Sequence, residues 1–246
     1  MKIKSIITIL TVLLSISIAS SAQELLPTST TGQIIKHTYY TLSYSEANEQ
    51  AEWVYYELTP ALINGKQKRT NDFRPDPLIS TISAQILDYK STGYDLGHLC
   101  PARDMKLNKT SMSESFLMSN MSPQKPSFNR GIWKKLEKRV RHWAITKGRL
   151  YVVTGGVLTS SKGKIGADGV TVPKSFYKII YDPHGQGNMI AFLLPNERGT
   201  KPLQTYVVTV DSVESITGID FFPELPDSIE NRLESKKDVI GWVFNK

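Results

Sequence analysis

The sequence feature that most constrains the fold is an amphipathic helix predicted over residues 126–143. Its apolar residues recur at spacings of four, four and three, which places them on one face of an α-helix. They are Ile132, Leu136, Val140 and Trp143. Lys147 and Gly148 close the segment, with the glycine as the expected C-cap. A helix with one apolar face needs a second layer to cover it, so the rest of the chain must supply a core.

Short apolar runs on both sides of this helix are typical of β-strands, because they are rich in aromatic and β-branched residues with partial alternation. The predicted strands are 36–44, 51–58, 150–154, 175–181, 189–194 and 205–210. Short helices are predicted over residues 212–217 and from residue 227 onward. The pattern predicts an α+β domain in which a central antiparallel β-sheet carries flanking helices.

The first 22 residues differ from the rest of the chain. Lys2 and Lys4 precede an apolar run that ends in small residues at Ala22, which is typical of a secretory signal peptide. The run is shorter than the ~20 residues that a membrane span needs, so an anchor is the weaker interpretation. We expect a signal peptide at 1–22, a loose N-terminal linker at 23–36 and one domain at 37–246. The mature chain would be secreted or periplasmic, with no membrane span.

Charge and cysteine content add two suggestions. The formal net charge of +7 becomes +5 (7 − 2) once Lys2 and Lys4 are removed. A basic chain suits an anionic polymer, because nucleic-acid affinity comes largely from neutralised phosphates; solubility alone is the other explanation. The single cysteine, Cys100, can form no disulfide within the chain. We interpret it as a packing residue, with a reactive nucleophile as the alternative.

Three polar segments near the predicted helix carry residues that can transfer protons or bind a metal ion. The first, residues 93–102, places His98 among glycine, aspartate and proline. The second reads Ser-Asn-Met-Ser-Pro-Gln at 119–124, and the third reads Phe-Asn-Arg-Gly-Ile-Trp at 128–133. A histidine exchanges a proton near neutral pH, and an asparagine carbonyl oxygen is a hard ligand suited to Mg²⁺. Together they suggest metal-assisted hydrolysis, in which the histidine generates the nucleophile and the metal holds a phosphate.

The three segments resemble those of the DNA/RNA non-specific endonucleases, the ββα-metal or His-Me finger nucleases. The family signature reads Asp-Arg-Gly-His, where this chain has Asp95-Leu96-Gly97-His98. The other two segments match the family nearly letter for letter, and the likeness runs from about Thr38 to the C-terminus. The resemblance implies a ββα finger as the active-site motif and Mg²⁺ as the cofactor, with Mn²⁺ as a substitute. It also implies DNA and RNA as substrates, with 5′-phosphate and 3′-hydroxyl ends on the products.

The resemblance further implies roles for four residues. His98 matches the general base, Asn129 the direct Mg²⁺ ligand and Glu137 the residue that orients a metal-bound water. Asn120 matches an asparagine that supports the site, although a turn-forming role before Ser-Pro is equally compatible with it. The simpler explanations for the other three are a hydrogen-bonded core histidine, a helix N-cap and a surface glutamate paired with Arg141 at i+4.

Arginines supply the expected phosphate contacts, because guanidinium binds phosphate bidentately and stays charged. The resemblance implies a clamping arginine ahead of an Asp-Pro pair, and both Arg69 and Arg74 precede such a pair. Arg69 is the first candidate and Arg74 the second. Leu96 removes the arginine of the signature, and we expect Arg103 or Arg130 to contact substrate in its place.

The sequence therefore predicts a secreted Mg²⁺-dependent endonuclease that hydrolyses DNA and RNA with little sequence specificity, since phosphate contacts carry no sequence information. Two other functions remain open. Leu96 favours a nucleic-acid-binding relative that no longer cuts. A metal phosphodiesterase acting on small nucleotides would hydrolyse small diesters but no plasmid. A zinc hydrolase is disfavoured, because the chain has neither a His-Glu-x-x-His motif nor a cysteine pair.

Overall fold

The computed structural model describes residues 25–81 and 83–244, in which strands and helices alternate along the chain. The strands are β1 (Ile34–Lys36), β2 (Thr41–Ser45), β3 (Gln50–Leu58), β4 (Asp95–His98), β5 (Met121–Gln124), β6 (Leu150–Gly156), β7 (Ser161–Ile165), β8 (Val170–Pro173), β9 (Ser175–Asp182), β10 (Asn188–Pro195) and β11 (Val207–Val208). The α-helices are α1 (Pro60–Asn64), α2 (Ile86–Tyr89), α3 (Lys109–Glu114), α4 (Lys134–Lys147), α5 (Val210–Thr217) and α6 (Asp227–Glu234). One π-helical turn spans Phe128–Trp133, and 3₁₀ turns span Met118–Asn120 and Leu203–Tyr206.

The centre of the fold is a seven-stranded sheet with the order β1-β2-β3-β6-β9-β10-β11. Every neighbouring pair is antiparallel, so the predicted central antiparallel sheet is confirmed. The side chains of α4 that face the sheet, Leu136, Val140 and Trp143, are buried in one apolar core. Val213 of α5 and Leu233 of α6 belong to a second core on the other face. Because both faces are covered, a polar side chain inside a central strand needs a compensating partner.

The predicted helix forms, but its first turns are not regular α-helix. The backbone is helical from residue 126 up to a kink within the Phe128–Trp133 turn, and it continues as α4 to Lys147. Gly148 then ends the helix at φ = 91°, a conformation that glycine adopts without strain. Gly131 has a non-helical backbone conformation (φ = −103°, ψ = −110°), so the helical segment is kinked between Asn129 and α4. The turn therefore decides which residues of α4 face the same side as Asn129.

A separate two-stranded sheet carries the histidine motif. β4 and β5 pair in antiparallel register, with His98 opposite Met121 and Gly97 opposite Ser122. The Ser122 hydroxyl donates a 2.5 Å hydrogen bond to Oε1 of Gln50 on β3, which ties the small sheet to the large one. β5 leads directly into the π-helical turn and α4. These elements form the ββα finger that the family resemblance implies.

Two predicted strands are wrong in extent. The strand expected at 36–44 is interrupted by a turn, in which the backbone amide of His37 donates to the carbonyl oxygen of Tyr40 at 2.9 Å. The strand expected at 205–210 is reduced to β11, because a 3₁₀ turn precedes it and α5 follows at once, with Thr209 as its N-cap.

The N-terminal segment is attached to the sheet, so the expectation of a loose linker is wrong for the described residues. The indole Nε1 of Trp53 donates to the carbonyl oxygen of Thr28 at 2.8 Å. The backbone amide of Thr30 donates to the carboxylate of Glu52 at 2.9 Å. The predicted signal peptide at 1–22 lies outside the described residues. Among the residues that the structure describes, no helix combines the length and apolar character that crossing a membrane requires.

Candidate active site

A cleft of about 460 Å³ lies between β4 and the start of α4. It brings together six of the eight predicted site residues, which are Arg69, His98, Arg103, Asn129, Arg130 and Glu137. The other two, Asn120 and Arg74, are not part of its lining. The ββα finger explains this convergence, because β4 supplies the histidine while the helical segment after β5 supplies Asn129 and Glu137.

His98 is the last residue of β4, and its imidazole packs against two phenylalanines. The ring centroids of Phe73 and Phe116 lie 5.8 and 5.0 Å from that of His98, both edge-on. Its Nε2 is buried and has no hydrogen-bond partner among the described residues, which disfavours the interpretation as a hydrogen-bonded core histidine. Burial, together with the positive charge of Arg69, lowers the pKa of His98 to about 3. The imidazole is therefore neutral at physiological pH and able to accept a proton.

Gly97 explains how β4 approaches its partner strand next to the histidine. A Cβ at this position would lie 2.3 Å from Cδ of Gln124, well inside van der Waals contact. Gln124 is itself fully buried and has little room to move. Glycine therefore allows β4 to lie close against β5, which sets the depth of the imidazole in the cleft.

Asn129 lies within the π-helical turn, and its side chain is oriented by Asp95 on β4. Its Nδ2 donates a 2.9 Å hydrogen bond to Oδ2 of Asp95. The same carboxylate accepts bonds of 2.9 and 2.6 Å from Arg130, which make a bidentate pair. The helical segment already begins at residue 126, so Asn129 lies inside it and N-capping is not its role. With its nitrogen held by Asp95, Asn129 offers its carbonyl oxygen to a ligand.

Glu137 lines the same cleft from the first turn of α4. Burial raises its pKa to about 7; Asp104 adds to the increase, whereas Lys178, Arg141 and Arg69 oppose it. The carboxyl group is therefore close to its change of charge at neutral pH. The cations around it favour the ionised form.

Lys178 on β9 is a buried cation whose charge acts on Glu137. The residue is 0% exposed, and its Nζ has no hydrogen-bond partner among the described residues. The ammonium lies 4.9 Å from the ring centroid of Trp133 and 5.9 Å from that of Tyr56. Burial lowers the pKa of Lys178 to about 8, while Glu137 and Asp104 act in the opposite direction. A buried ammonium is costly unless carboxylates and aromatic faces compensate it, so Lys178 and Glu137 stabilise each other's charge.

Arg141 forms its ion pair with Asp104, and not with Glu137 as the sequence spacing suggested. Nη1 of Arg141 lies 2.8 Å from Oδ1 of Asp104, and only 13% and 1% of the two side chains are exposed. The Tyr56 hydroxyl donates to the other carboxylate oxygen at 3.1 Å. The interpretation of Glu137 as a surface residue paired with Arg141 is therefore wrong.

Of the two candidate phosphate clamps, only Arg69 lies in the cleft. Its Cζ lies 4.6 Å from the ring centroid of Phe116, the same ring that contacts the imidazole, and burial lowers the pKa of Arg69. Arg74 instead donates to the carbonyl oxygens of Asp72 and Ser113, both at 3.0 Å. Arg74 thus holds its own loop against α3, while Arg69 lines the cleft.

Asn120 holds the segment that follows the histidine motif. It is fully buried, and its Oδ1 accepts a 2.8 Å hydrogen bond from the backbone amide of Cys100. Its Nδ2 donates to the carbonyl oxygens of Cys100 and Ser115 at 2.9 and 2.8 Å. All three bonds go to the backbone, so Asn120 positions the site and does not meet substrate.

Burial raises the pKa of the Cys100 thiol, which fits a packing residue and not a nucleophile.

Leu96 lines the cleft at the position where the signature has arginine. It pairs with Pro123 across the finger and packs against an apolar cluster that includes Met118 and Met121. The leucine therefore packs beside the site, and the positive charge of the signature arginine is absent from this position.

Comparison with known proteins agrees with this geometry. The family model described as DNA/RNA non-specific endonuclease matches residues 19–228. The chain belongs to this family. A nuclease from Nostoc sp. (strain PCC 7120) is 34% identical over 212 residues, which cover 81% of this chain and 76% of the relative. Nuclease C1 from Cunninghamella echinulata is 33% identical, with coverages of 80% and 85%. Human mitochondrial endonuclease G is 30% identical, with coverages of 78% and 70%.

A solved structure places the fold with the same family. A chain in the crystal structure of the EndoG/EndoGI complex matches with a TM-score of 0.73 and 30% identity. The match covers 79% of this chain and 87% of that chain. Family membership and the named relatives support a nuclease that acts on DNA and RNA without sequence specificity.

The cleft also fits the metal dependence of the non-specific endonuclease family. Its lining offers one neutral amide oxygen, from Asn129, and one carboxylate, from Glu137. Among the described residues, the group of three carboxylates close enough to share an ion lies elsewhere, around Glu234. So small a set of oxygen donors suits a hard divalent ion that keeps most of its waters.

Sequence reasoning missed two residues that this member of the family uses to build its cleft. Asp95 stands in the signature, but nothing in the sequence shows that it holds the side chain of Asn129. For Lys178, the sequence does contain a sign that the residue is buried. It is the one charged residue within the otherwise apolar run of β9 before Asp182. Apolar residues at successive positions indicate a strand buried on both faces, so a lysine among them must be buried too.

Proposed function

We propose that the chain is a secreted or periplasmic, Mg²⁺-dependent endonuclease that hydrolyses DNA and RNA with little sequence specificity. The proposal rests on the combination of side chains that line one cleft. A neutral imidazole with an unpartnered nitrogen, an oriented amide oxygen and a partly buried arginine all line it. A general base, a metal ligand and a phosphate-binding cation are the groups that phosphodiester hydrolysis requires.

The charge of the cleft suits a polyanion. Two of the cations in its lining are paired, Arg130 with Asp95 and Arg141 with Asp104. The complete set of five cationic side chains that line the cleft with the carboxylate of Glu137 is Arg69, Arg103, Arg130, Lys134 and Arg141. A neighbouring cavity shares two of these arginines and adds three lysines, which are Lys66, Lys68 and Lys106. The basic surface therefore continues past the reacting phosphate, which favours a nucleic-acid chain over a small diester.

In the proposed reaction, His98 accepts a proton from the water whose oxygen bonds to phosphorus. Arg69 binds a non-bridging oxygen, where negative charge increases in the transition state. The bond from phosphorus to the 3′-oxygen breaks, which leaves a 5′-phosphate and a 3′-oxygen that takes a proton from solvent. Glu137, whose ionised form is favoured by the cations around it, orients water beside Asn129. Mg²⁺ bound at Asn129 would neutralise charge on the phosphate and on the leaving oxygen.

Mg²⁺ is the ion that the donor set suits best, because Mg²⁺ binds few protein oxygens and retains water. Mn²⁺ accepts the same oxygen ligands and is the expected substitute.

The proposal requires the cleft to bind substrate although Leu96 stands in place of the signature arginine. Arg103 lines the cleft and forms no ion pair among the described residues, so it is available to a substrate phosphate. Arg130 is already paired with Asp95. Arg103 is therefore our candidate for the role of the signature arginine.

Secretion rests on the sequence of the first 22 residues. N-terminal sequencing of the exported protein tests it, with Gln23 as the expected first residue. An exported protein that retains Lys2 and Lys4 would contradict cleavage at Ala22.

The test of the enzyme is digestion of plasmid DNA and RNA by the mature chain with Mg²⁺, with Mn²⁺ and with EDTA. Cleavage should need the metal, and His98→Ala and Asn129→Ala should each reduce its rate by about 100-fold or more. His142→Ala is the matched control, since His142 lies on α4 but does not line the cleft. Salt-dependent DNA binding without cutting in any metal would favour the binding protein, and cleavage of small diesters alone would favour the phosphodiesterase.

A further inference from the structure

A second cluster of ionisable groups lies between α5 and α6, on the face of the sheet opposite α4. Asp211 and Glu214 on α5 and Glu234 on α6 place their ligand oxygens within 4.8 Å of one another. Three carboxylates at this distance repel one another in their ionised forms. The arrangement therefore needs compensation by protons or by a cation.

Glu234 distinguishes this cluster from an ordinary acidic patch on a surface. The residue is only 5% exposed. Its Oε1 is buried and has no hydrogen-bond partner among the described residues. Buried polar atoms in native proteins nearly always have a partner, so an unpaired carboxylate oxygen indicates a bound proton, water or ion.

The nearest charged groups around Glu234 are carboxylates. Glu214, Glu230, Asp220 and Asp211 act on it most strongly. One proton would neutralise only one of these groups, whereas a divalent cation would compensate several at once.

The positions of the three carboxylates are set by separate parts of the fold. Oε1 of Glu214 accepts a 3.0 Å hydrogen bond from the backbone amide of Phe221, which holds that side chain in place. Asp211 lies in the first turn of α5 and is exposed, so ions and water reach the cluster from this side. Glu234 is the last residue of α6 and forms the buried end.

We propose that Asp211, Glu214 and Glu234 bind one Ca²⁺ ion, which ties α5 to α6. Ca²⁺ takes about six to eight oxygen ligands in flexible geometry, and carboxylates bind it through one or both oxygens. Mg²⁺ more often uses one or two carboxylates with a rigid set of waters, so three carboxylates favour the larger ion. The site is structural and is separate from the metal position at Asn129.

Calorimetric titration and thermal unfolding of the mature protein with CaCl₂ test the proposal. Both are done on the Asn129→Ala variant, which removes the proposed ligand of the cleft, so the result does not depend on nuclease activity. We expect one Ca²⁺ per chain and a rise in Tm of roughly 5 °C at saturation. Glu234→Gln in the same background should weaken Ca²⁺ binding at least about tenfold and abolish the rise.

Glu230→Gln is the matched control, because it removes an equal charge from α6 without removing one of the three ligands. It should keep a Ca²⁺-dependent rise in Tm. Asp211→Asn, at an exposed position, repeats the test if Glu234→Gln fails to fold. Absence of Ca²⁺ binding in the Asn129→Ala protein, or binding that survives both ligand substitutions, would overturn the proposal.

Discussion

The side-chain nitrogen of Asn129 lies 2.9 Å from Oδ2 of Asp95, so the π-helical turn is joined to β4 across the cleft. Asp95 stands three residues before His98 on the same strand. One short strand therefore carries the proposed base and also orients the proposed metal ligand. Displacing β4 would disturb both groups together.

Asp95→Ala should weaken metal binding more than it slows the reaction at saturating metal. The substitution frees the Asn129 amide to rotate, and loss of such an orienting group typically costs about 10- to 100-fold in metal affinity. A Mg²⁺ titration of plasmid cleavage separates the half-saturating concentration from the maximal rate. Asp72→Ala, which removes a carboxylate paired with Arg74 outside the cleft, is the control. An unchanged half-saturating concentration would contradict the orienting role.

The burial of neutral His98 should make the protein sensitive to acid. Its folded pKa of about 3 lies below the ordinary value of 6.5, so the unfolded chain binds the proton more readily. Stability is then lost as the pH falls from 6.5 towards 3, by about 3 kcal/mol between pH 6.5 and pH 4. Urea unfolding of the unmutated protein and of His98→Asn, both in EDTA, measures this difference.

His98→Asn should lose about that much less stability over this pH range, because asparagine does not titrate. His142→Asn, outside the cleft, should retain the acid sensitivity of the unmutated protein. Equal losses in the unmutated protein and His98→Asn would show that the imidazole is not buried in its neutral form.

Lys178→Met should move the acid limb of nuclease activity to higher pH. Lys178 opposes the rise in the pKa of Glu137, so its removal raises that pKa further and more base is needed to ionise the carboxylate. We expect the pH of half-maximal cleavage to rise by roughly one unit, with activity recovered in alkaline buffer. Lys174→Met, at an exposed position, should leave the pH profile unchanged. A uniform loss of activity at every pH would instead indicate a packing defect.

Leu96→Arg should strengthen substrate binding at the expense of stability. An arginine here adds a phosphate contact, so KM for DNA should fall about three- to tenfold at low salt and rise more steeply with salt. The apolar contacts to Met118 and Met121 are lost, at a cost of about 1 kcal/mol. Cleavage kinetics at several salt concentrations and urea unfolding measure the two effects. Leu96→Met, which keeps an apolar side chain, should change neither; an unaltered KM in Leu96→Arg would show that the position does not reach substrate.

Asn120→Ala should destabilise the fold, because it leaves three buried backbone groups without partners. At about 1 kcal/mol or more for each lost bond, the free energy of unfolding should fall by roughly 3 kcal/mol. Asn231→Ala removes one exposed bond to the backbone of Asp227 and should cost less than about 1 kcal/mol. Urea denaturation compares the two. Equal costs would mean that the buried network around Cys100 contributes nothing beyond a surface bond.

The sequence predicts those parts of the site that depend only on residue type and on spacing within a short segment. His98, Asn129 and Glu137 stand in short segments that single them out without knowledge of the rest of the chain, and all three line the cleft. The apolar face of α4 was equally clear, because Leu136, Val140 and their neighbours follow a helical period.

The residues that the sequence does not reveal are set by contacts between distant segments. Lys178 lies 41 positions (178 − 137) beyond the glutamate on which it acts, and the sheet alone brings them near each other. Arg74 is closer to the Asp-Pro pair than Arg69, yet bonds to α3 turn it away from the cleft. The N-terminal segment looks polar and loose, but Trp53 and Glu52 hold it through its backbone.

The π-helical turn at Phe128–Trp133 makes the length of this segment as important as its composition. Substitutions within it change single contacts, whereas loss of one residue would shift α4 by one position, which is about 100° of helical rotation, relative to Asn129. We therefore expect members of the family to keep the number of residues here even where the residues themselves differ. A gap between Asn129 and Glu137 in the alignment of a distant relative would be a stronger sign of lost nuclease activity than a substitution outside the cleft.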